Sequence, residues 1–423
     1  MVTLFIAAAC TSAPVKEANA PAEATTAGEL ALYLTDSFNG AGLMAVHPLT
    51  LADRSAKPLL PITPTLANNT WTTASLDGSA IAVMTYNYGD PPAAARGLDI
   101  AVYDARAGTL RSRYNPEVPI IVDALSTDGT RIYARNWPPA DFTAERLVLD
   151  ATNGRILERE PRFSVAGDTI ARTRDEEARL LYGLLVPKDS GATGPQPVDV
   201  ASWDLRTGRE LWRVSLPSLA AGEWNTGRIV DGAEVRSRLV PAVALSPDRT
   251  QIAVVRAFGC CVPHGTIWLV DAKTGTLISQ RTYEPGASFF DQLFAPSIAA
   301  AKSLDESVIV HASFSTNGQM LHFYAHSSTI NDQGEPRHQY YGMVTAAVRD
   351  AAVRGHDIKM EIYWYENRIE WIRASPDGRW LYVFLKRTHP KGFFLRRVDA
   401  STLRVQAERR FDGYRQPFLL ATR

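Results

Sequence analysis

The stretch ALSPDRTQIAVVRA, residues 244–257, and the stretch TIWLVDAKTGTLISQRTY, residues 266–283, together decide the fold. Each consists of two strand-like runs separated by a short turn signal. The first turn has the pattern Ser-x-Asp, and the second has the pattern Asp-x-x-x-Gly. An Asp side chain accepts hydrogen bonds from the backbone two residues on, and Gly accepts positive φ, so both spacings favour tight turns. The unit therefore predicts four antiparallel strands.

This unit recurs along the chain, which makes the repeat the main signal in the sequence. Three more copies begin at residues 74, 124 and 374, and a looser copy spans residues 169–217. The second turn recurs as Asp104–Gly108, Asp150–Gly154, Asp204–Gly208 and Asp271–Gly275. Four-stranded antiparallel units repeated around an axis make a β-propeller, which leaves only short sheet edges.

Two degenerate copies complete the predicted ring. One covers residues 297–328, and the other consists of N-terminal strands within residues 30–54 that lack an inner strand. The segment YRQPFLLATR, residues 414–423, is predicted to supply that strand. We therefore predict an all-β fold: one seven-bladed β-propeller over residues 30–423, with four-stranded antiparallel blades and a ring closed by N- and C-terminal strands.

The repeat resembles known propeller families. Ser-Pro-Asp-Gly before an apolar strand, followed by a Val-Asp-x-x-Thr-Gly turn, is similar to the YVTN and WD-like propellers of secreted bacterial proteins. The segment DLRTGRELWRVSLP, Asp204–Pro217, resembles one repeat of the pyrroloquinoline-quinone-type propellers. These resemblances imply a propeller, but such proteins include lactonases, quinoproteins, sensors and binding scaffolds, so they do not assign a chemistry.

The N-terminus is predicted to direct the chain to the cell envelope. MVTLFIAAAC, residues 1–10, resembles the lipobox of a bacterial lipoprotein signal, which implies lipidation of Cys10. The apolar run is short and lacks a preceding Lys or Arg, so an ordinary secretory signal is the alternative. Residues 11–29 are rich in Ala, Pro, Thr and Glu and predict a disordered tether. No later segment has the length of a membrane span, so we expect attachment through the lipid alone, facing the periplasm or exterior.

The long loops are predicted to share one face of the propeller. Both short turns of each unit lie at the same end of the strands, so the long connections lie at the other end, where binding residues commonly occur. We define this end as the long-loop face. Neutral drift of a permissive surface is the alternative. The residues on this face best suited to contact a ligand are Tyr88, Trp137, Trp224, His264 and His389, although each is equally compatible with packing inside its own loop.

Two adjacent cysteines lie in one of these loops. With Cys10 lipidated, Cys260 and Cys261 are the remaining thiols, and an oxidising compartment favours a disulfide between them. Their Cα atoms lie about 3.8 Å apart, less than an ordinary disulfide prefers, so the bridge is expected to be comparatively reducible. One alternative is a zinc site formed by the two cysteines and His264, for which a fourth ligand is not evident. The other alternative is a catalytic dithiol, for which the C-x-x-C spacing of redox enzymes is missing.

Two further segments suggest specific roles. His322 and His326 share a strand face, and His311 lies within reach on a neighbouring strand, so the three could bind zinc or copper. Structural or surface histidines are the alternative. Apolar residues at helical spacing within Gln339–Met360 predict a short helix that packs between blades or docks a partner. The sequence shows no G-x-S-x-G elbow, and its glycines mark turns rather than a phosphate-binding loop.

Charge and composition limit the choice of partner. Lys+Arg and Asp+Glu number 45 each, so no basic surface predicts nucleic-acid binding. The leading interpretation is a tethered propeller that binds a protein, a glycan or a small ligand through the long-loop face. The alternatives are a quinoprotein- or lactonase-type enzyme, with a quinone or metal in the central channel, and a structural member of an envelope assembly.

Overall fold

Every regular element in the described part of this computed structural model is a β-strand. The structure describes residues 30–36, 42–53, 70–75, 79–85, 99–118 except 106 and 108, 120–136, 145–160, 168–187, 192–230, 232–258, 264–283, 307–315, 317–330, 336–349, 353–357, 368–375, 379–388, 391–411 and 416–421.

Four separate sheets each contain four consecutive antiparallel strands. The first contains β3 (Thr70–Ala74), β4 (Ala80–Thr85), β5 (Asp99–Asp104) and β6 (Leu110–Tyr114). The second contains β7 (Ile120–Leu125), β8 (Arg131–Asn136), β9 (Arg146–Asp150) and β10 (Ile156–Glu160). The third contains β16 (Ala242–Leu245), β17 (Gln251–Phe258), β18 (His264–Asp271) and β19 (Leu277–Tyr283). The fourth contains β24 (Arg368–Ala374), β25 (Trp380–Thr388), β26 (Lys391–Asp399) and β27 (Val405–Phe411).

A nine-stranded sheet joins two more four-stranded meanders. One meander contains β11 (Asp168–Asp175), β12 (Leu180–Val186), β13 (Gln196–Asp204) and β14 (Glu210–Val230). The other contains β20 (Ser307–Phe314), β21 (Met320–Ile330), β22 (Pro336–Ala347) and β23 (Val353–Asp357). Strand β15 (Ala233–Val240) forms a hairpin with the long β14 and then pairs parallel to β20, with Leu239 opposite Val308.

The two ends of the chain meet in a three-stranded sheet, which we call the terminal sheet. It contains β1 (Leu30–Asp36), β2 (Gly42–Val46) and β28 (Gln416–Ala421), in the order β2-β1-β28. Strand β28 pairs antiparallel with β1, from Leu30 opposite Ala421 to Thr35 opposite Gln416. The sequence predicts this pairing. A further N-terminal strand is reduced to a single bridge between Val46 and Asp53.

The protein is thus an all-β propeller with four-stranded antiparallel blades, as the repeats predict, but its sheets do not divide into the expected seven. Four blades stand as separate sheets, because β15 fuses two meanders into one sheet and the terminal sheet lacks a full fourth strand.

The prediction of a helix within Gln339–Met360 is wrong. Residues 336–347 form β22, which is held between β21 and β23 by backbone pairing on both sides, and this pairing overrides the helical spacing of the apolar residues.

The two short turns of each meander lie side by side, which confirms that they share one face. Ser126 accepts a hydrogen bond from Arg131 N at 2.9 Å and donates one to Asp128 at 2.6 Å. Gly154 N donates to Asp150 O at 2.8 Å in the second turn. A backbone bond then links one turn to the other in every four-stranded meander. These bonds run from Ala105 N to Ser79 O, Ala151 N to Thr130 O, Leu205 N to Arg179 O, Ala272 N to Thr250 O, Val348 N to Gln319 O and Ala400 N to Arg379 O.

The hydrophobic core lies between neighbouring sheets. Middle strands such as β9 and β12 are buried along nearly their whole length, whereas outer strands such as β6 and β27 alternate between exposed and half-buried residues. The buried strands are apolar on both faces because a neighbouring sheet packs against each face. Ile252 and Trp268, for example, pack with Leu184 and Val200 of the preceding meander.

A charged cluster is buried at the interface between the β7–β10 sheet and the β11–β14 meander. Arg146 Nη2 lies 2.5 Å from Glu176 Oε2, and Arg179 binds the carboxylate of Glu160. Asp123 accepts a hydrogen bond from Arg174 at 2.8 Å. These ion pairs link the two blades through charge, in addition to the apolar packing between neighbouring sheets.

Candidate functional site

A cavity of about 410 Å³ lies where the inner strands of four neighbouring blades meet. Its wall contains residues of β11, β16, β20 and β24, the first strand of each meander, together with residues of β21. Strand β11 packs against β16, and β16 packs against β20. A concave site of this volume is in the range typical of small-molecule pockets.

The wall positions follow a rule that relates them to the short turns. Arg172, Val243, Ala312 and Ile372 all line the cavity, and each lies three residues before the first turn residue of its own meander. Those turn residues are Asp175, Ser246, Ser315 and Ser375. Because the inner strands are equivalent, equal offsets place their residues at the same height around the axis.

The polar part of the described wall is small and carries no carboxylate. It consists of Arg172, His311, Ser313, His322 and Tyr324, and the rest is aliphatic or alanine and proline. Arg172 is exposed and is the one residue of this wall with a permanent charge. The described wall therefore does not supply the acidic ligands that a metal-dependent lactonase site requires.

His322 is the buried polar group of the cavity. Its side chain is 1% exposed, and its Nδ1 lies 3.0 Å from Thr345 Oγ1, with which it hydrogen-bonds. Its Nε2 has no hydrogen-bond partner in the described structure. Burial disfavours the charged imidazolium and lowers the pKa of His322 to about 4, so the ring is neutral at neutral pH.

His311 and Tyr324 form a second feature of the wall. They lie opposite each other in the β20–β21 pairing, and their rings stack with centroids 4.7 Å apart and planes at 14°. His322 lies two residues before Tyr324 on the same face of β21, opposite Ser313. The stacked pair offers a flat aromatic surface beside the buried imidazole.

The three histidines proposed as metal ligands are only partly brought together. His311 and His322 line the same cavity, and the backbone of His326 lies opposite Ile309, with its side chain outside the described residues. Across the described ranges, no three His, Cys, Asp or Glu side chains come close enough to hold a metal ion. The metal site stays a prediction that the described geometry does not support.

Trp224 is the ligand-face candidate whose side chain the structure describes. It is buried in the β14–β15 hairpin and packs with Ala192 and Leu239, and Asn225 N donates to Ala192 O at 3.0 Å. The next residues after Leu239, Val240 and Pro241, line the cavity. The base of this hairpin therefore forms the wall of the cavity on the long-loop side, where β16 begins.

The other sequence candidates stay predictions. His264 begins β18 opposite Phe258, and its side chain lies outside the described residues. Tyr88, Trp137, His389, Cys10, Cys260 and Cys261 also lie outside them. The cavity residues Arg172, Ser313 and Tyr324, and Thr345, which hydrogen-bonds His322, were not singled out from the sequence. For Arg172 the missing signal was its position three residues before a turn, which only an aligned set of repeats reveals.

Comparisons with known proteins show no family for this chain. No protein-family model and no curated protein matches the chain. Among solved structures, it is similar to a putative 6-phosphogluconolactonase from Bacteroides fragilis, with 13% identity over 94% of this chain and 100% of that chain and a TM-score of 0.44. It is also similar to the WD40 domain of Toxoplasma gondii coronin, with 9% identity over 92% of this chain and 77% of that chain and a TM-score of 0.43. Dihydro-heme d1 dehydrogenase NirN in complex with DHE has 10% identity over 92% of this chain and 74% of that chain, with a TM-score of 0.42.

Structural similarity at this level does not indicate what the chain binds or does.

The described residues include no helix that is long and apolar enough to cross a bilayer.

Proposed function

We propose that this protein is a ligand-binding β-propeller whose ligand, a small organic molecule, occupies the cavity between the inner strands. The observation that carries the proposal is the cavity itself, about 410 Å³ in volume and lined by the inner strands of four blades. Its described wall combines aliphatic residues such as Val243 and Ile309 with a few polar residues such as Ser313. A concave site of this volume and composition is typical of small-molecule binding.

The long-loop face contributes to this site through the β14–β15 hairpin. Val240 and Pro241 connect the Trp224 cluster to the inner strand β16, so the hairpin borders the cavity. This arrangement supports a small ligand reached from the long-loop face, in preference to a protein or glycan held on the outer loops alone.

A cavity-filling variant tests this function. Ser313 is half-buried and lines the cavity, so Ser313→Phe is expected to abolish ligand binding while the fold persists. Ser279→Phe is the matched control, since Ser279 is a half-buried serine on the outer strand β19. Native mass spectrometry of the protein purified from its own host measures the bound ligand. Equal ligand occupancy in the two variants contradicts the proposal.

We infer further that the complete ring has seven blades. Six meanders share the bond between their two turns, and the terminal sheet repeats the second turn with different residues. Leu51 N donates to His47 O at 2.8 Å, as Gly275 N donates to Asp271 O at 2.9 Å. His47 Nδ1 accepts from Leu49 N, as Asp271 Oδ1 accepts from Lys273 N. An experimental structure with another number of repeats around the axis contradicts this inference.

The proposed location is the cell envelope, with the propeller attached to a bacterial membrane through a lipid on Cys10. The support is the lipobox-like segment that ends at this cysteine. Metabolic labelling with a fatty acid tests it: label is expected in the wild-type protein and absent from Cys10→Ser. Equal labelling of both, or of neither, contradicts the anchor.

A further inference from the structure

We propose that the β24–β27 blade docks on an anionic lipid surface through a basic corner, which consists of Lys386, Lys391 and Arg410. This inference rests on the envelope location proposed above and adds the side of the propeller that meets the bilayer. It follows from the charge of the blade, the placement of the three side chains and the point at which the chain enters the propeller.

One blade carries the positive charge of the molecule. Residues 368–411, which contain β24–β27, include eleven Lys or Arg and four Asp or Glu, a formal charge of +7. The remainder of the chain, with 34 basic and 41 acidic residues, sums to −7. Each of the five other four-stranded meanders has a charge between −2 and +2. These were counted over residues 70–118, 120–160, 168–240, 242–283 and 307–357. The neutral total of the chain thus conceals a local asymmetry that attracts an anionic surface.

The carboxylates described on this blade do not offset the charge of the corner. Glu408 accepts from Arg396 Nε at 2.6 Å and from Arg387 Nη2 at 3.0 Å, so two guanidiniums already share it. Asp399 accepts backbone N–H bonds within its own short turn, at the opposite end of the blade. The ion pairs that the described residues of this blade form involve Arg387, Arg396 and Arg409, and none of the corner residues.

The three corner residues lie together at the long-loop end of the blade. They belong to the neighbouring strands β25, β26 and β27, and their side chains are exposed. Arg410 Nη2 donates to Lys391 O at 2.8 Å, so its guanidinium lies at the beginning of β26. Gly392 leaves room for this side chain, because a Cβ there would lie 2.9 Å from Arg410 Nε.

Protection of the sheet edge alone does not explain this charge. Strand β27 is an edge strand, and charged residues on such strands deter pairing with other chains. Strand β10 is also an edge strand, and it carries Glu158, Arg159 and Glu160, which alternate in sign. Mixed charge is thus sufficient for an edge, whereas an excess of one sign indicates a partner of the opposite charge.

The basic blade is the neighbour of the sheet through which the chain enters the propeller. Val46 of the terminal sheet packs in one apolar cluster with Phe384 of this blade. Strand β1 of the same sheet begins at Leu30, directly after the predicted tether, residues 11–29. A tether of this length spans at most about 65 Å, so a lipid on Cys10 keeps the basic blade close to the bilayer. This proximity favours the lipid surface over an acidic protein or polysaccharide as the partner.

Vesicle binding by full-length Cys10→Ser tests the proposal, because this variant cannot be lipidated at that cysteine. The probes are vesicles of phosphatidylglycerol mixed with phosphatidylcholine and vesicles of phosphatidylcholine alone, and flotation measures the bound protein. Binding to the anionic vesicles is expected to be at least about 10-fold stronger and to be lost in about 1 M salt, where the Debye length is about 3 Å. Equal binding to both vesicles, or binding to neither, overturns the proposal.

Two triple variants with the same net charge locate the contact. Lys386→Gln/Lys391→Gln/Arg410→Gln is expected to weaken binding to the anionic vesicles by about 100-fold, since each basic residue near such a surface contributes about 5-fold. The control changes three exposed basic residues on the short turns of other blades, and it consists of Arg155→Gln, Arg206→Gln and Lys273→Gln. It is expected to weaken binding by less than about 3-fold, because charges beyond a Debye length are screened. Equal losses assign the binding to overall charge and overturn the corner.

A double variant covers the case in which the triple variant does not fold. Lys386→Gln/Lys391→Gln keeps the hydrogen bond from Arg410 to the backbone and is expected to weaken vesicle binding by about 25-fold. Thermal unfolding checks that each variant is folded. A folded double variant that binds as well as Cys10→Ser overturns the role of the two lysines.

Two outcomes separate this inference from the alternatives. Binding of soluble polyglutamate by the corner, without binding to anionic vesicles, assigns the partner to an acidic polymer and overturns the lipid surface. Fatty-acid labelling of the wild type decides the anchor independently. Vesicle binding without label leaves the corner standing and removes the anchor, whereas label without a preference for anionic vesicles leaves the anchor and removes the corner.

Discussion

The guanidinium of Arg409 and the carboxylate of Asp53 form a two-point ion pair, with Nη1 and Nη2 lying 2.7 and 2.8 Å from the two carboxylate oxygens, although 356 residues separate them in the chain. Arg409 also donates to Leu51 O at 2.8 Å. The contact joins the outer strand β27 to the terminal sheet, so it lies at the closure of the ring.

Arg409→Met is expected to lower the free energy of unfolding by about 1–2 kcal/mol, because it removes charge-assisted hydrogen bonds from a partly buried pair. Urea denaturation measures the loss. Arg236→Met is the control: Arg236 pairs with Glu223 on the surface, where the two side chains are 61% and 51% exposed, and the cost is expected to stay below about 1 kcal/mol. Equal costs would show that the closure contact adds no stability of its own.

Arg146→Met is expected to destabilise the fold by about 3–5 kcal/mol, because it leaves the buried Glu160 and the half-buried Glu176 at the blade interface with less opposing charge. Arg146 and Glu160 are both buried, so water replaces the lost guanidinium poorly at this pair. The measurement is again urea denaturation, with Glu223→Gln on the surface as the reference. A loss no larger than that of Glu223→Gln contradicts the interface role of the cluster.

The variants Gly275→Ala and Gly227→Ala distinguish the stability cost of a steric clash from the stability cost of an unfavourable backbone conformation. Their φ angles are nearly equal, +74° and +75°, so both substitutions place an alanine in the left-handed backbone region. The expected loss of folding free energy from this conformation is the same in both variants, about 1–2 kcal/mol. At Gly275 a Cβ would also lie 2.6 Å from the Trp212 ring, whereas nothing lies within 4 Å at Gly227.

Trp212 cannot easily move aside, since its indole N–H donates to Ala272 O at 3.2 Å. Gly275→Ala is therefore expected to cost about 1–3 kcal/mol more than Gly227→Ala, the usual penalty of overpacking. Thermal unfolding of the two variants gives the difference. Identical melting temperatures would mean that the indole relocates without cost.

Acid is expected to weaken the fold through His322. Above pH 6.5 the imidazole is neutral in both the folded and the unfolded chain and contributes no pH dependence. Between pH 6.5 and about 4 the unfolded chain binds a proton that the folded chain does not, so stability falls as the pH falls, by up to about 3 kcal/mol.

His322→Gln removes this contribution. Urea unfolding of both proteins at pH 7, 6 and 5 is expected to show a steeper loss of stability in the wild type than in the variant. Parallel curves would mean that His322 takes up a proton in the folded protein as readily as in the unfolded chain.

The repeat could be predicted from the sequence because its turns are held by hydrogen bonds between residues close together in the chain. Asp150, Asp271 and Asp399 accept backbone hydrogen bonds from residues two or three positions on, so the sequence alone marks these turns. Leu51 and Leu403 take the same left-handed position without glycine, with φ of 60° and 54°. Their side chains are buried in the core, which offsets the backbone cost, and this compensation depends on the neighbouring blade.

The site was predictable only in part, because it depends on contacts between distant repeats. The sequence indicates His311 and His322 as a pair, but not that Thr345 orients one and Tyr324 stacks on the other. The cavity brings Arg172 and His322 into one wall across separate blades, and nothing local in either strand indicates this meeting. The pairing of β15 with β20 is likewise a tertiary contact with no sequence period of its own.

The pairing of β28 with β1 also governs when the molecule can finish folding. A ribosome delivers β1 first, at about 5–20 residues per second, so β1 exists for tens of seconds before residues 416–421 are made. During that time one edge of the first sheet has no partner, and such edges readily pair with other chains. We therefore expect the pairing of β28 with β1 to be a late step of folding, and factors that shield the N-terminal edge until then are expected to raise the yield.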